Sequence, residues 1–535
     1  MKANTDRLDA ILRYISTVWD QLTRTTSSSE GVGDTKLLSP PVLYLPADVP
    51  APSEVDRLSK EGEVRVLRLP AVIRKRGHSD RSEIQPPGLL FLPNPYVVPG
   101  GRFNEMYGWD SYFIIRGLLA EGRIDLARGM VENFFFEIEH YGAILNANRS
   151  YYLTRSQPPF LSSMVMALYE AERNAQRADS GWLARAHPYI TRDYELWTHK
   201  PHLAGNTGLS RYYDLGEGPV PEGLHDESGY YRDVIVYFLK HDVESAHLAN
   251  VGDNHSGSAP RYSLQVFQET DASASLSNRK LVRHLDLSPE FYKGDRSMRE
   301  SGFDISFRFG PFGSETHHYA PVCLNSLLYK TEVDMARIST ILGRKAESRR
   351  WRHRAEKRQS AMRRRMWDSR RGLFFDYQFL KKTRSSYEYA TTFYPLWVGL
   401  ATTQQAKRVA GNLPWFEEPG GLAMSRQQTG AQWDYPYGWA PVHLLAVEGL
   451  RRYGYNAQAN RITHEFLEML LKNFEHDHNL REKYNVVTDT SRVRIGEGYH
   501  TNVVGFGWTN GVFLELLKQL PPKWKERLRR GSGKN

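Results

Sequence analysis

The chain has 535 residues, of which 40% are hydrophobic and 25% charged, a balance typical of a soluble globular protein. It has a single cysteine, Cys323, which excludes an internal disulfide framework, and no apolar run long enough to span a membrane. The net charge of +10 raises the question of an acidic partner, such as a nucleic acid or a membrane surface.

The first 90 residues are predicted to form an N-terminal extension that packs on the main domain. Residues 1–23 are amphipathic and interrupted by charges, and they lack the basic segment, apolar run and cleavage site of a signal peptide. The stretches 27–40 and 46–53 are rich in Pro, Ser and Gly, which is typical of loops. We therefore expect a cytoplasmic protein, or a periplasmic one if a signal peptide has been removed.

From about residue 91, apolar residues recur at the i, i+3, i+4 spacing of amphipathic helices. Strand patterns are few and short, as at 373–379, and the stretch 223–295 is polar and irregular enough to suggest an insertion. Repeated helices with long loops between them favour a mostly α fold over a parallel sheet. The clearest predicted helices are 124–140, 160–173, 323–342, 441–453, 459–474 and 511–520.

Much of the positive charge lies in two segments, 349–371 and the tail 523–535. The basic residues of the first segment fall on all sides of a predicted helix, which is typical of a solvated outer helix rather than of a nucleic-acid surface. The second is expected to be a frayed tail. We therefore predict no nucleic-acid or membrane partner, and nothing in the sequence indicates an oligomeric state.

The long loops concentrate aromatic, charged and amide side chains. The densest is PGGRFNEMYGWDSYF at 99–113, and similar groups occur at 146–160, 429–441 and 504–512. Aromatic rings can stack on the apolar face of a pyranose while charged and amide groups bind its hydroxyls. A loop whose aromatic residues only fill the core is the alternative, and the PGGR turn and Trp-Asp pair argue against it. These loops therefore predict a sugar-binding site.

These four segments, in this order, resemble the signatures of the trehalases of glycoside hydrolase family 37. PGGRFNEMYGWDSY and QWDYPYGWAP are similar to the two family signatures, and NRSYYLTRSQPPF and GFGWTNGV to the motifs that link them. The resemblance implies an (α/α)6 toroid over 91–522, with long loops forming a pocket at one end. It also implies hydrolysis of trehalose to two glucose molecules without a cofactor, and no phosphate loop or dinucleotide fingerprint is present.

The resemblance also implies which carboxyl groups are catalytic. Glycoside hydrolysis needs an acid that protonates the leaving oxygen and a base that activates water. Asp304 in SGFD is similar to the acid of the family's SGWD segment, with Phe303 in place of Trp. Glu482 in EKYN is similar to the base of the EKYD segment, with Asn485 in place of Asp. Glu497 in IGEGYH is similar to a second family glutamate and is the alternative base.

By the same resemblance the enzyme inverts the anomeric configuration, so that water attacks from the face opposite the leaving group. The other predicted site residues would hold the sugar hydroxyls and orient the reacting bond. They are Arg102, Phe103, Tyr107, Trp109, Asp110, Asn146, Arg155, Ser156, Gln157, Glu222, Gly302, Gln432, Trp439, Glu497, Phe506 and Trp508.

One departure from the family pattern leaves the substrate open. Gly218 and Val220 stand where the family carries two arginines, and the loss of two guanidinium groups would remove charge-assisted hydrogen bonds. Arg211, Arg232 or Arg299 could replace them from another direction. The alternatives are therefore a related toroidal α-glycosidase with a different α-glucoside, or a carbohydrate-binding homologue without catalysis.

No metal site is predicted from the sequence. The residues of HDH (476–478) are adjacent near a helix end and would point in different directions. Cys323 stands where the family more often has Asp, and we interpret it as a core residue at the start of an apolar helix. His317 and His318 have no informative spacing to it, so a catalytic thiol is not indicated.

Overall fold

The computed structural model describes residues 6–33, 41–75, 84–222, 229–251, 263–267, 281–497 and 501–531. Helices dominate this part of the chain, as predicted, and none of them has the length and apolar character needed to cross a bilayer. The α-helices are α1 (Arg7–Leu22), α2 (Ser29–Val32), α3 (Ser53–Glu61), α4 (Asp110–Ala120), α5 (Ile124–His140), α6 (Leu161–Asn174), α7 (Ser180–Thr198), α8 (Tyr230–His241), α9 (Pro289–Glu300), α10 (Val322–Ile341), α11 (Lys345–Arg365), α12 (Tyr394–Trp397), α13 (Thr403–Gly411), α14 (Ala440–Arg452), α15 (Asn456–Asp477), α16 (Gly507–Gln519) and α17 (Pro522–Arg530).

Six helices form a closed inner ring. Each of α4, α6, α10, α12, α14 and α16 packs against the next, and α16 packs again on α4. Outside this ring, α5 lies against α4 and α6, α7 against α6 and α10, α11 against α10, and α15 against α14 and α16. The fold is therefore the expected (α/α)6 toroid, with the apolar faces of both layers forming one continuous core.

The ring closes between α4 and α16 through two glycines that face each other. A Cβ atom on Gly511 would lie 2.2 Å from the backbone oxygen of Phe113, and one on Gly117 would lie 2.5 Å from the Cα of Gly511. The indole of Trp19, from α1, fills the space beside them. Helix α1 belongs to the predicted N-terminal extension, yet it packs on α15, α16 and α17 and completes the outer layer at this point.

The strands are short and lie in small sheets. In the N-terminal region, β2 pairs in parallel with β3 and β4, so that Leu43 lies between Val66 and Leu89. The described strands are β1 (Thr23–Arg24), β2 (Val42–Leu45), β3 (Arg65–Arg68), β4 (Leu89–Leu90), β5 (Tyr96–Val97), β6 (Leu248–Asn250), β7 (Leu264–Phe267), β8 (Leu281–Leu287), β9 (Tyr319–Ala320), β10 (Trp367–Asp368), β11 (Leu373–Phe374), β12 (Tyr377–Gln378), β13 (Thr383–Arg384), β14 (Glu417–Glu418), β15 (Gly421–Leu422), β16 (Tyr437–Gly438) and β17 (Tyr484–Asn485).

The stretch 223–295 is more regular than its sequence suggests. It contains α8, the first half of α9 and an antiparallel sheet in the order β6-β8-β7. Apolar side chains of α8 and β8, such as Val234, Phe238 and Leu285, form a second, smaller core with Phe291 of α9. The prediction of irregular structure was therefore wrong for these residues. Residues 223–228, 252–262 and 268–280 lie outside the described part of the chain.

The C-terminal tail also differs from expectation. Residues up to Arg530 form α17 rather than a frayed segment, and Leu528 is buried against α1 and α15. The side chain of Arg7 donates to the backbone oxygen of Leu528 at 3.2 Å, and Arg529 pairs with Asp6. The basic residues lie on the outer side of this helix and dominate its sequence. The sequence analysis therefore missed the packing of Leu528 on the core.

Glu137, on α5, is fully buried and gives a testable pH dependence. Burial raises its pKa to about 8, opposed only by the hydrogen bond from the backbone N–H of Leu145. A carboxyl whose pKa is raised on folding stabilises the protein below its unfolded pKa, and this stability is lost as the pH rises toward 8. We therefore expect Glu137→Gln to gain about 2 kcal/mol or more relative to the wild type between pH 5 and pH 8. Unfolding of both proteins in urea at the two pH values measures this, and an unchanged difference would contradict it.

Candidate active site

A pocket at one end of the ring encloses about 790 Å³, including its opening to solvent. The loops that form it lead into α4, α6, α14 and α16, so it lies at the N-terminal end of these inner helices. The residues lining the pocket are Pro99, Arg102, Phe103, Tyr107, Trp109, Asp110, Asn146, Tyr152, Arg155, Gln157, Glu222, Arg299, Gly302, Asp304, Gln432, Trp433, Trp439, Glu482, Phe506 and Trp508.

The segment that carries Asp304 is fixed by aromatic packing. The ring of Phe303 lies 5.0 Å from that of Trp433 and 5.5 Å from that of Trp109. Gly302 has a φ of +75°, and a Cβ atom there would lie 2.9 Å from the indole of Trp109. Only glycine combines this backbone conformation with so close an approach, so Asp304 emerges from a turn with little freedom to move.

Asp434 holds the residues that follow Asp304. Its carboxylate accepts hydrogen bonds from the Ser306 hydroxyl at 3.0 Å, the Phe307 N–H at 2.9 Å and the Thr429 hydroxyl at 2.7 Å. Burial raises its pKa to about 6, and these hydrogen bonds oppose that shift. Asp434 does not line the pocket. It connects the segment that follows Asp304 to the 429–439 loop.

Glu482 enters the same pocket from another side. Strands β16 and β17 pair with Gly438 opposite Tyr484, which places the 429–439 loop beside the 481–486 segment. The indole N–H of Trp508 donates to the backbone oxygen of Glu482 at 3.1 Å. The Nζ atom of Lys483 lies 3.2 Å from the Glu482 carboxylate and donates to Gln432 Oε1 at 2.7 Å.

The amide of Gln432 continues this connection, because its Nε2 donates to the backbone oxygen of Asp304. Lys483 is completely buried, and its ammonium group also lies 5.2 Å from the ring of Trp439. Burial lowers the pKa of Lys483, and the neighbouring carboxylate of Glu482 opposes this shift. A buried cation therefore links the two segments that carry the predicted catalytic residues.

Asp110, the first residue of α4, is a third carboxyl group in the pocket. Burial raises its pKa well above the usual range, and the negative charges of Glu482 and Asp304 raise it further. Burial and the two neighbouring negative charges therefore favour the protonated form of Asp110.

A cationic cluster lies at another wall of the pocket. Arg155 forms a buried ion pair with Glu222, and Arg299 also lines the pocket. Burial alone would raise the pKa of Glu222, but the guanidinium groups of Arg155 and Arg299 outweigh it and lower the pKa to about 2. Glu222 is therefore ionised at neutral pH and fixes a guanidinium group where a hydroxyl could bind.

The structure shows how the loop without the two family arginines is held. Arg296 of α9 donates to the backbone oxygens of Gly218 at 2.7 Å and Glu217 at 3.0 Å, and Val220 is buried in the second core. Arg299, one turn further along α9, reaches the pocket itself. Of the three arginines considered as replacements, Arg299 is the one that lines it.

Two of the predicted binding residues, both within the described chain, lie outside the lining of the pocket. Ser156 is buried beneath it, where its N–H donates to Glu300 at 3.2 Å and its hydroxyl to the oxygen of Ile144. Glu497 pairs through its backbone with Gly430, and its charge raises the pKa of Tyr237 in addition to the effect of burial. The other predicted site residues all line the pocket.

The sequence interpretation missed four lining residues and two that support them. Pro99, Tyr152 and Trp433 lie inside the segments it singled out but were not named as site residues. Arg299 was considered only as a possible substitute. The two supporting residues, Lys483 and Asp434, lie next to lining residues. The only signal for them in the sequence is that they directly follow Glu482 and Trp433.

Comparison with known proteins identifies one family. The family model described as Trehalase matches residues 63–521. The chain belongs to the trehalase family. It is 37% identical to the cytosolic neutral trehalase of Saccharomyces cerevisiae over 97% of this chain and 73% of that protein. It is 38% identical to the cytosolic neutral trehalase of Emericella nidulans, over 80% of this chain and 58% of that one.

A solved structure supports the same assignment. The neutral trehalase of Saccharomyces cerevisiae superposes with a TM-score of 0.78 and 34% identity, covering 98% of this chain and 96% of the solved one. The trehalase fold therefore includes the N-terminal region of this chain and not only its helical ring. This agrees with the position of α1 in the outer layer.

Proposed function

We propose that this protein is a cytosolic α,α-trehalase, which hydrolyses trehalose to two glucose molecules with inversion. Family membership and relatives that are named cytosolic neutral trehalase support the substrate and the location. The observation that carries the mechanism is that Asp304 and Glu482 line one pocket from separate segments, beside aromatic rings that a pyranose can stack on. No step of this chemistry calls for a cofactor.

In the proposed reaction, Asp304 protonates the glycosidic oxygen as the bond to the leaving glucose breaks. Glu482 takes a proton from a water molecule, which attacks the anomeric carbon from the opposite face. The proton lost by Asp304 is recovered through solvent after the products leave. Asp110 and the Arg155–Glu222 pair would hold hydroxyls of the substrate, and binding energy from these contacts would orient the reacting bond.

A disaccharide panel tests the substrate. Glucose release should be measured from trehalose and from other α-linked diglucosides, and we expect kcat/KM for trehalose to exceed the others by at least about 10²-fold. Release only from another diglucoside would favour a related α-glycosidase, for which Gly218 and Val220 would be the structural reason. No release from any of them would favour a carbohydrate-binding homologue.

Lys483 gives a prediction specific to the proposed base. Lys483→Met keeps the length of the side chain but removes the cation beside Glu482 and the donor to Gln432. We expect kcat to fall about 10²-fold with KM changed by less than about threefold, because the loss affects the reacting groups more than the bound sugar.

The matched control is Lys472→Met, which removes an exposed lysine paired with Asp489 at 2.7 Å. It should leave both kinetic constants unchanged. A Lys483→Met enzyme with the kcat of the wild type would mean that Lys483 supports only packing.

A further inference from the structure

Two histidines and a glutamate converge outside the pocket, where the first turn of α9 meets the 3₁₀ helix Thr316–His318. The Nε2 atoms of His317 and His318 each lie 2.9 Å from the same oxygen, Oε1 of Glu290. The possible ligand atoms of the three residues all lie within 4.8 Å of one another. Within the described part of the chain, they are the one group of three or more such side chains that meets so closely.

We propose that Glu290, His317 and His318 bind a divalent transition-metal ion such as Zn²⁺. Imidazole nitrogens and a carboxylate oxygen are ligands that Zn²⁺ prefers, at about 2.0–2.2 Å, with water at the fourth position of a tetrahedron. Such bonds place the ligand atoms roughly 3.3 Å apart. The two observed 2.9 Å separations from Glu290 would lengthen by about 0.4 Å. The ligand atoms of the two histidines, which lie within 4.8 Å of each other, would move to the same spacing.

The surroundings of the three residues allow a metal ion to replace the contacts between Glu290 and the two histidines. Two cations lie nearby, and each has a partner other than the Glu290 carboxylate. Arg211 donates to the backbone oxygen of His317 at 2.8 Å, and Lys381 pairs with Glu315 at 3.3 Å. Glu290 is about half exposed, which gives the ion a path from solvent.

The position of the site suggests what the ion would do. Glu290 lies in the first turn of α9, and the last turn of the same helix carries Arg299 into the pocket. A metal ion joining Glu290 to residues 317 and 318 would fix the start of α9 against the segment before β9. The site would therefore stabilise the fold and would not take part in the hydrolysis. The sequence could not indicate it, because Glu290 lies far from the two histidines along the chain.

Calorimetric titration of the tag-free, metal-stripped protein with Zn²⁺ tests the proposal. We expect one site per chain with a Kd below about 10 µM, and Co²⁺ should give the visible absorption of a tetrahedral complex. Zinc at about 100 times its Kd should raise Tm by roughly 2 °C. Glu290→Gln and His318→Ala should each weaken Zn²⁺ binding at least about tenfold, while trehalose hydrolysis stays within about twofold of the wild type.

The control is His353→Ala, which removes the histidine of an exposed pair with Glu356 at 3.8 Å and should leave the affinity unchanged. The metal-free Tm of each variant shows that it is folded, and both altered positions are accessible enough to tolerate substitution. Absence of saturable binding to the wild type, or equal affinity in Glu290→Gln and His353→Ala, would overturn the proposal. Neither result would affect the trehalase assignment, which the sugar assays test separately.

Discussion

Asp304→Asn and Glu482→Gln should each lower kcat on trehalose by at least about 10³-fold. An amide cannot donate a proton to the glycosidic oxygen or accept one from water, and general acid–base catalysis contributes about 10²–10⁴-fold for each group. Both replacements are nearly isosteric and both residues line an open pocket, so the fold should be retained. Steady-state kinetics and thermal unfolding of the three proteins would measure this, with KM expected to change much less than kcat.

Glu497→Gln is the matched control for the base. Glu497 lies outside the pocket lining, so its variant should keep kcat within about threefold of the wild type. The opposite pattern, an active Glu482→Gln and an inactive Glu497→Gln, would assign the base to Glu497. It would then require the 496–497 segment to move into the pocket when the sugar binds.

Gly511→Ala should cause the largest loss of stability among conservative replacements in the ring. The added methyl group would lie 2.2 Å from the backbone oxygen of Phe113, so α4 and α16 must separate. Overpacking of this kind costs about 1–3 kcal/mol or more, against a gain of about 1 kcal/mol from replacing glycine within a helix. Because the approach is so close, we expect the upper end of this range, a net loss of about 2 kcal/mol, and a lower Tm.

The same substitution should also lower kcat/KM. Asp110 and Trp508 stand at the N-terminal ends of α4 and α16, about one turn from the collision, and both line the pocket. Gly411→Ala is the control, because it lies at the end of α13 with nothing within 4 Å of the added atom. It should be neutral or slightly stabilising. Equal Tm values for the two variants, measured at one scan rate, would show that the contact between α4 and α16 is not tight.

Helix positions were largely predictable from apolar spacing. The segment 124–140 coincides with α5, and the other predicted helices agree with the observed ones to within a few residues. The predicted strand 373–379 is instead two short strands, β11 and β12, separated by Phe375 and Asp376, and the carboxylate of Asp376 is paired with Arg308. Local patterns identify helices because burial repeats every turn, whereas they do not reveal which buried charges interrupt a strand.

Closure of the ring was not predictable from periodicity. It depends on Gly117, Gly511 and Trp19, which are distant in sequence and carry no pattern that pairs them. The role of α1 as an outer helix was missed for the same reason, since its amphipathic sequence does not specify the surface it covers. The toroid was predicted from the family resemblance, and these long-range contacts explain how the ring closes.

The lining of the pocket was predicted well where its residues lie in long motifs. Thirteen to fifteen consecutive residues around Trp109 or Trp433 carry enough information to identify the loops that line it. Prediction was weaker where function depends on contacts between segments, as for Lys483 beside Glu482 or Arg299 beside Glu222. A single charged residue in a sequence is most often on the surface, and only its burial marks these two as different.

The most direct measurement of the central claim is the anomeric form of the first products. Trehalose should be hydrolysed in the NMR tube, and the glucose anomers followed before mutarotation mixes them. Attack by water on one glucose and release of the other as the leaving group predict equal amounts of β- and α-glucose at the earliest times. Two molecules of α-glucose per trehalose would mean retention, and would contradict a water molecule activated by Glu482 opposite the bond that Asp304 protonates.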